Sequence, residues 1–285
     1  MDVLVTGCNG QLGQALRQLA GSHPEHRWFF TDIDTLDITN PDEVEQHFTD
    51  TGVDICINCA AYTAVDKAED EPELAQLVNA TAPLVLAETC AHHNATLIHI
   101  STDYVFDGLA TQPYTVDAPV NPKSVYGITK ADGERRIKES GCNYIIIRTA
   151  WLYSSTGKNF VKTMLMLGDT KDEINVVDDQ KGCPTWAPNL ADAVIKLMEL
   201  YGQEPVHETF HFTNEGQITW YEFASAIMEL GGKHCKVNPI TSDQYPTKAQ
   251  RPAYSVLDLS KIKTLTGMTI PCWKDSLEKC IRELL

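Results

Sequence analysis

Basic residues are scarce in this chain: 23 Lys and Arg stand against 39 Asp and Glu among 285 residues, a formal net charge of -16. Phosphate backbones are bound by basic surfaces, so nucleic acid is excluded as a partner. An anionic small molecule is not excluded, because helix N-termini and single Arg or Lys side chains act locally against the overall field. Long uninterrupted apolar runs are lacking too, and with them the expectation of a membrane span. No cleavage-site pattern follows Met1-Asp2-Val3-Leu4-Val5, which runs straight into a glycine loop, so a cytoplasmic protein is expected. Cysteine pairing is missing as well. The nine cysteines are an odd number scattered along the chain, and free thiols in a reducing compartment are the simplest account. Cys56-Ile57-Asn58-Cys59 has CxxC spacing, but it lies along a strand pattern with no second pair. Two small core residues are expected there, not a metal or redox site.

What is present is a regular alternation. Short β-branched runs in the first half are separated by helical patterns, the signature of a parallel sheet flanked by helices. Strands are predicted over 3–6, 27–31, 54–58, 96–100 and 144–148, and helices over 11–20, from 72 to about 93, and over 124–140. That order is a Rossmann-type doubly wound α/β fold, with a dinucleotide-binding domain over residues 1–150. Beyond Trp151 the alternation loosens. Helices are predicted near 159–167, 188–201, 219–230 and 274–284, and strands near 174–177 and 210–213. Residues 151–285 are read as a smaller, mainly substrate-binding region with some elements returning to the first domain.

Gly7-x-x-Gly10-Gln11-Leu12-Gly13 sits between the first predicted strand and the first predicted helix. In that context missing side chains let the backbone turn tightly against a pyrophosphate, and the helix N-terminus meets its negative charge. Asp32 follows at the end of the second strand, about 20 residues past the loop, where a carboxylate accepts from ribose hydroxyls. No Arg or Lys comes directly after it, which leans toward NADH, but Arg17 and Arg27 are available to a 2'-phosphate. Both NADH and NADPH stay open. Asp37 and Ile38, and Ala61, Tyr62 and Thr63, follow the second and third strands, where loops cover the rest of a dinucleotide.

Ser101-Thr102-Asp103 ends the fourth strand, the edge at which open α/β sheets bind ligands. Neighbouring side chains on a strand face opposite ways, so one of Ser101 and Thr102 faces the site. Tyr126 and Lys130 stand at i and i+4 of a predicted helix and share a face. The ammonium is expected to lower the tyrosine pKa and make the phenol an acid or base near neutral pH.

The glycine loop, the hydroxyl-bearing strand end and the YxxxK pair together resemble the extended short-chain dehydrogenase/reductase family. Further motifs narrow the resemblance to its nucleotide-sugar reductases: Val65-Asp66-Lys67-Ala68-Glu69, Ser101 to Gly108, Arg148-Thr149-x-Trp151-x-Tyr153, Asp179-Gln180-x-Gly182-x-Pro184-Thr185 and Arg251-Pro252. The resemblance implies reduction of the 4-keto group of a dTDP-linked deoxysugar by NADPH or NADH. It makes Tyr126 the proton donor, Lys130 the residue that holds the nicotinamide ribose and tunes the tyrosine, and Thr102 the hydroxyl on the ketone. Asp103 and Trp151 are then substrate contacts. Some relatives carry a glutamate shortly after the third glycine and bind magnesium at a dimer interface; Ala15 stands here, so no metal is expected and homodimerisation is left open. Ala253 replaces an asparagine usual in the last motif. A dehydratase would have glutamate after Thr102-Asp103, and Tyr104 is there instead. An epimerase of the same fold, and a non-catalytic regulatory subunit resembling that of methionine adenosyltransferase, are the competing readings.

Overall fold

The computed structural model describes residues 1–201 and 204–285. In chain order the first part comprises β1 (Asp2–Thr6), α1 (Gln11–Ala20), β2 (Arg27–Phe30), α2 (Pro41–Thr51), β3 (Ile55–Asn58), α3 (Val65–Ala68), α4 (Pro72–Gln76), α5 (Ala82–His93), β4 (Thr96–Thr102), α6 (Val125–Glu139) and β5 (Asn143–Thr149). It continues with β6 (Leu152–Tyr153), α7 (Phe160–Thr170), β7 (Glu173–Val177), β8 (Lys181–Gly182), β9 (Thr185–Trp186), α8 (Ala187–Tyr201) and β10 (His207–His211). The last elements are β11 (Ile218–Thr219), α9 (Trp220–Leu230), β12 (Lys236–Ile240), α10 (Ser260–Thr266) and α11 (Trp273–Leu284).

Six parallel strands form the central sheet in the order β10-β5-β4-β3-β1-β2. The strand order reverses between β1 and β3, which opens a crevice at their carboxyl ends. Strand periodicity decides what fills the two faces. Val3, Val5, Ile55, Ile57, Ile98, Ile145 and Ile147 face one core with residues of α1 and α8. The intervening Leu4, Cys56, Leu97 and Ile146 face the other with residues of α2 and α5. Cys56 is therefore a core residue beside α5, and Cys59 lies beyond the strand on the crevice; all nine cysteines are free.

The chain returns to the sheet late. α8 packs on α1, and β10 pairs with β5 from Tyr144↔His207 to Arg148↔His211. A separate cluster built on Tyr153, Val161, Phe223 and Leu277 gathers α7, α9 and α11, and β7 pairs with β12 at its edge.

The strand and helix expectations fall close to these bounds, but several elements carried no expectation. α2 is one, although Asn40 caps it by accepting from the Asp42 N–H and Pro41 opens it. The helix from Pro72 is not uniform: a π turn over Leu77–Thr81 separates α4 from α5. Within that turn Asn79 accepts from the Tyr62 N–H and donates to the Tyr62 carbonyl and to Thr129 Oγ1, so its side chain holds the loop after β3. The span Pro72–His93 is long and apolar enough overall to cross a bilayer, though Glu73, Asn79 and Glu88 interrupt its apolar run, and half of its most apolar stretch is buried within the fold.

Candidate active site

Three cavities that share wall residues form a trough, two of them at the carboxyl ends of the central strands and the third beside α7 and β7. The middle one, about 540 Å³, is lined by Gly10, Gln11, Leu12, Gly13, Cys59, Ala61, Thr63, Thr102, Asp103, Tyr126, Lys130, Trp151 and Trp220, among others. A second of about 320 Å³ shares Gly10, Cys59 and Ala61 with it and adds Gly7, Asp32, Asp37 and Ile38. The third, about 560 Å³, shares Tyr104 and Trp220 with the first and adds Asp66, Phe160, Asn175, Tyr245 and Arg251. The sequence-predicted residues thus converge on one trough, with one exception. Tyr62 lines none of the three: its hydroxyl donates to Glu71 and its ring packs beside Tyr126 and Ala75.

Residues of the first two cavities fit a dinucleotide. Gly7 has φ +62°, and a Cβ there would stand 2.6 Å from the Ala60 nitrogen. At Gly13 a Cβ would be 2.5 Å from Cys8 Cα and the Gly7 carbonyl oxygen, so helix and loop touch with no room between them. Gly10 caps α1 without a side-chain hydrogen bond, leaving the helix N-terminus open to an anion. Asp32 accepts from the Asn9 and Ile33 N–H groups on the wall of the second cavity, which fixes the carboxylate at the β2 end. Gly13→Ala is expected to cost about 1–3 kcal/mol of stability and to weaken dinucleotide binding, because α1 must shift off the turn. Denaturant unfolding and a dinucleotide titration check it; unchanged affinity would detach the turn from the cofactor.

Of the two arginines raised for a 2'-phosphate, Arg27 is ruled out by place. It opens β2 at the far end of the sheet and pairs with Asp2. Arg17 stacks on Phe30 at 5.0 Å and donates to Cys8 Sγ, near the β2 end that carries Asp32.

The catalytic candidates sit where α6 meets β4. Ser124 caps α6 by accepting from the Gly127 N–H, and Glu69 accepts from the Val125 N–H. A Cβ on Gly127 would lie 2.3 Å from the Tyr104 carbonyl oxygen, so that glycine lets the helix press against the turn after Thr102. Thr102 Oγ1 donates to Asp103 Oδ1 at 2.9 Å and stands close enough to the Tyr126 phenol to oppose the effect of burial on it. Ser101 turns the other way and donates to Glu134. Of the two hydroxyls, Thr102 is therefore the one beside the phenol. Lys130 Nζ, buried, lies 3.1 Å from His99 Nε2 and donates to the Ile100 carbonyl at 2.6 Å.

The expected depression of the tyrosine pKa is not found. Burial pushes the Tyr126 phenol well up, with only the neighbouring Thr102 hydroxyl opposing it, and Lys130 spends its contacts on β4. Burial also lowers Lys130 to about 8, with Glu134 acting against it.

Asp103 is buried, its Oδ2 has no hydrogen-bond partner, and desolvation raises its pKa to about 6. A carboxyl raised on folding contributes stability below its unfolded pKa and loses it as pH rises through the folded one. Asp103→Asn is therefore expected to match the unmodified protein in acid and to exceed it by on the order of 3 kcal/mol above about pH 6. Unfolding curves on both sides of that pH check the sign; equal stability throughout would mean the carboxylate is not strained.

Trp151 has φ +49°, a region that bulky residues avoid. Its ring stacks on Trp220 at 3.6 Å, and a Cβ on Gly182 would touch it at 2.6 Å, so the side chain is both packed and part of the cavity wall. Trp220, from α9, escaped the sequence reading because an aromatic at a helix start looks like ordinary core. The motifs around 65–69 and 251–252 meet in space: Arg251 pairs with Asp66 and donates to the Tyr104 hydroxyl, and Lys248 pairs with Asp70. Ala15 is buried against the α1–α8 core.

A parallel sheet with a glycine turn at its switch point and a Thr, Tyr and Lys group at the next strand end defines an extended short-chain dehydrogenase/reductase. The family model for the RmlD substrate binding domain matches residues 1–285. The dTDP-4-dehydrorhamnose reductase of Sinorhizobium fredii is 39% identical over 292 residues, covering 100% of this chain and 98% of the relative. A crystal structure of a dTDP-4-dehydrorhamnose reductase from Clostridium acetobutylicum superposes with a TM-score of 0.94 at 44% identity, covering 100% of this chain and 99% of that one. Another from Bacillus anthracis, solved in complex with NADP, gives 0.94 at 36% identity with 99% of each chain covered. The chain belongs to the dTDP-4-dehydrorhamnose reductase family.

Proposed function

We propose that this protein reduces the 4-keto group of dTDP-4-dehydro-L-rhamnose with NADPH or NADH, giving dTDP-L-rhamnose for bacterial surface polysaccharide. The observation that carries it is the convergence of Thr102, Tyr126 and Lys130 on one cavity beside the glycine turn, in a chain matched over its full length by relatives of that name. Residues 1–150 hold the dinucleotide and residues 151–285 mainly hold the sugar nucleotide. The reduced nicotinamide, when bound, supplies a hydride to the keto carbon. Tyr126 gives its phenolic proton to the oxygen, Thr102 holds that oxygen in line, and Lys130 holds the nicotinamide ribose. Gly7, Gly10, Gln11, Leu12 and Gly13 form the pyrophosphate turn, and Asp32, Asp37 and Ile38 the adenosine end. Ala61 and Thr63 close the middle. Asp103 and Trp151 contact the sugar.

A cavity with a protonated phenol at its wall suits reduction, because the proton must be present before the hydride arrives. The test is oxidation of NADH and NADPH, measured separately, with dTDP-4-dehydro-L-rhamnose made enzymatically. Substrate-dependent loss of reduced cofactor with dTDP-L-rhamnose formed is the expected result and ranks the two dinucleotides. No consumption with either, despite dinucleotide binding, would overturn the reading.

A further inference from the structure

Behind Lys130 a chain of polar side chains runs through three strands, all of it buried: Thr6 on β1, Asn58 on β3 and His99 on β4. Asn58 Oδ1 accepts from Thr6 Oγ1 at 2.8 Å and from the Ala60 N–H at 3.1 Å. A backbone N–H can only donate, so the amide cannot be turned over, and Nδ2 is left facing His99 Nδ1 at 3.1 Å. An amide nitrogen also only donates. His99 Nδ1 must then be the bare, accepting nitrogen, and in a neutral imidazole the proton sits on Nε2. Nε2 is 3.1 Å from Lys130 Nζ.

We propose that His99 is a positioning residue for Lys130: Asn58 fixes its tautomer, and above neutral pH the Nε2–H donates to the lysine, holding a neutral amine before any dinucleotide binds. The neutral amine uses its lone pair on His99 and one N–H on the Ile100 carbonyl, which leaves a single N–H for the cavity. An ammonium would instead set two donors against each other, either at Nε2 or, after tautomer exchange, at Nδ1 and Asn58 Nδ2. In a buried site that mismatch costs the desolvation of an unpaired donor. The charges around Lys130 permit the neutral form. Glu134, one turn along α6, is taken by Arg148; Tyr126, one turn back, is an un-ionised phenol; and β4 offers only His99 and a carbonyl. Burial lowers Lys130 to about 8, so the neutral amine and this tautomer hold above that pH and an ammonium returns below it.

The proton on His99 is read directly by long-range 15N–1H correlation on 15N-labelled full-length protein, without dinucleotide, at about pH 9, with the ring assigned through bonds to its own backbone. A proton on Nε2 is expected; a proton on Nδ1 would overturn the proposal. Asn58→Asp replaces the donor by an acceptor of the same shape. It is expected to move the proton to Nδ1 and keep Lys130 an ammonium to higher pH, so that the basic limb of kcat/KM set by loss of that ammonium moves up by about one pH unit. A uniform loss of rate with the limb in place would mean that Asn58 is only structural, and would overturn the link to Lys130. The spectrum of the unmodified protein decides the tautomer whether or not the Asn58→Asp variant folds. It needs no substrate, so the reductase assay and this proposal fail separately; only the kinetic arm rests on the proposed reaction.

Discussion

Tyr126→Phe is expected to lower turnover by roughly a hundred- to ten-thousandfold while dinucleotide affinity stays near that of the unmodified protein. The substitution isolates the hydroxyl. The ring stands edge-to-face on Tyr104 at 5.4 Å and packs with Ala68 and Ala75, contacts that phenylalanine keeps. The glycine turn and Asp32 are untouched. What disappears is the proton donor beside Thr102. Burial keeps that phenol un-ionised across the working pH range, which suits an acid: in the reducing direction the proton must sit on oxygen when the alkoxide forms. The sequence-based expectation of a depressed tyrosine pKa describes the reverse reaction better than this one. Steady-state rates with the sugar nucleotide, alongside a dinucleotide titration, check the split between kcat and affinity. A variant within tenfold of the unmodified rate would remove Tyr126 from the acid role.

The parallel sheet was legible because each strand is a short β-branched run whose alternate residues fill two apolar cores, and periodicity reports that directly. The glycine turn was legible for a related reason: absence of side chains is itself a sequence signal, and Gly7 and Gly13 are the positions where a Cβ has no space. Features that depend on contacts between distant segments were not. Nothing in the local pattern announces that Asn79 sits in a π turn and ties the loop after β3, or that Arg251 reaches Asp66. Asn58 and His99 lie inside strands read only for their apolar content. A polar side chain in a buried strand must find a partner, so each was a signal that periodicity alone passed over. The tyrosine pKa was misjudged for the same reason, since i, i+4 spacing gives the shared face but not the carbonyl and imidazole that occupy the lysine.

One such long-range contact carries the second large effect. Arg148→Met is expected to destabilise the fold by about 3–5 kcal/mol, because it strands a buried carboxylate. Arg148, on β5, grips Glu134 of α6 with two hydrogen bonds, Nε to Oε1 at 2.9 Å and Nη2 to Oε2 at 2.7 Å, and both residues are buried. Its remaining Nη1 donates to the Val116 carbonyl, and its plane lies 5.0 Å from the Phe106 ring. The pair has a catalytic neighbour. Ser101 donates to the same Glu134 oxygen, so the ion pair anchors the strand residue that precedes Thr102, and Glu134 follows Lys130 by one helical turn. The pH dependence follows from the sign. Arg148 holds the Glu134 carboxyl below its usual range despite burial, so in the unmodified protein this group adds stability above its unfolded pKa and loses it as pH falls through the folded one. Without the guanidinium, burial acts alone and the carboxyl takes up a proton instead. The deficit of Arg148→Met should then be largest at about pH 8 and narrow toward about pH 5, where protonation relieves the stranded charge. Adding Glu134→Gln to Arg148→Met removes that charge outright and should recover part of the loss at the higher pH. Unfolding curves at both pH values for the single and double variants settle it: a deficit independent of pH, with no recovery in the double variant, would mean that Arg148 acts by packing and not by charge.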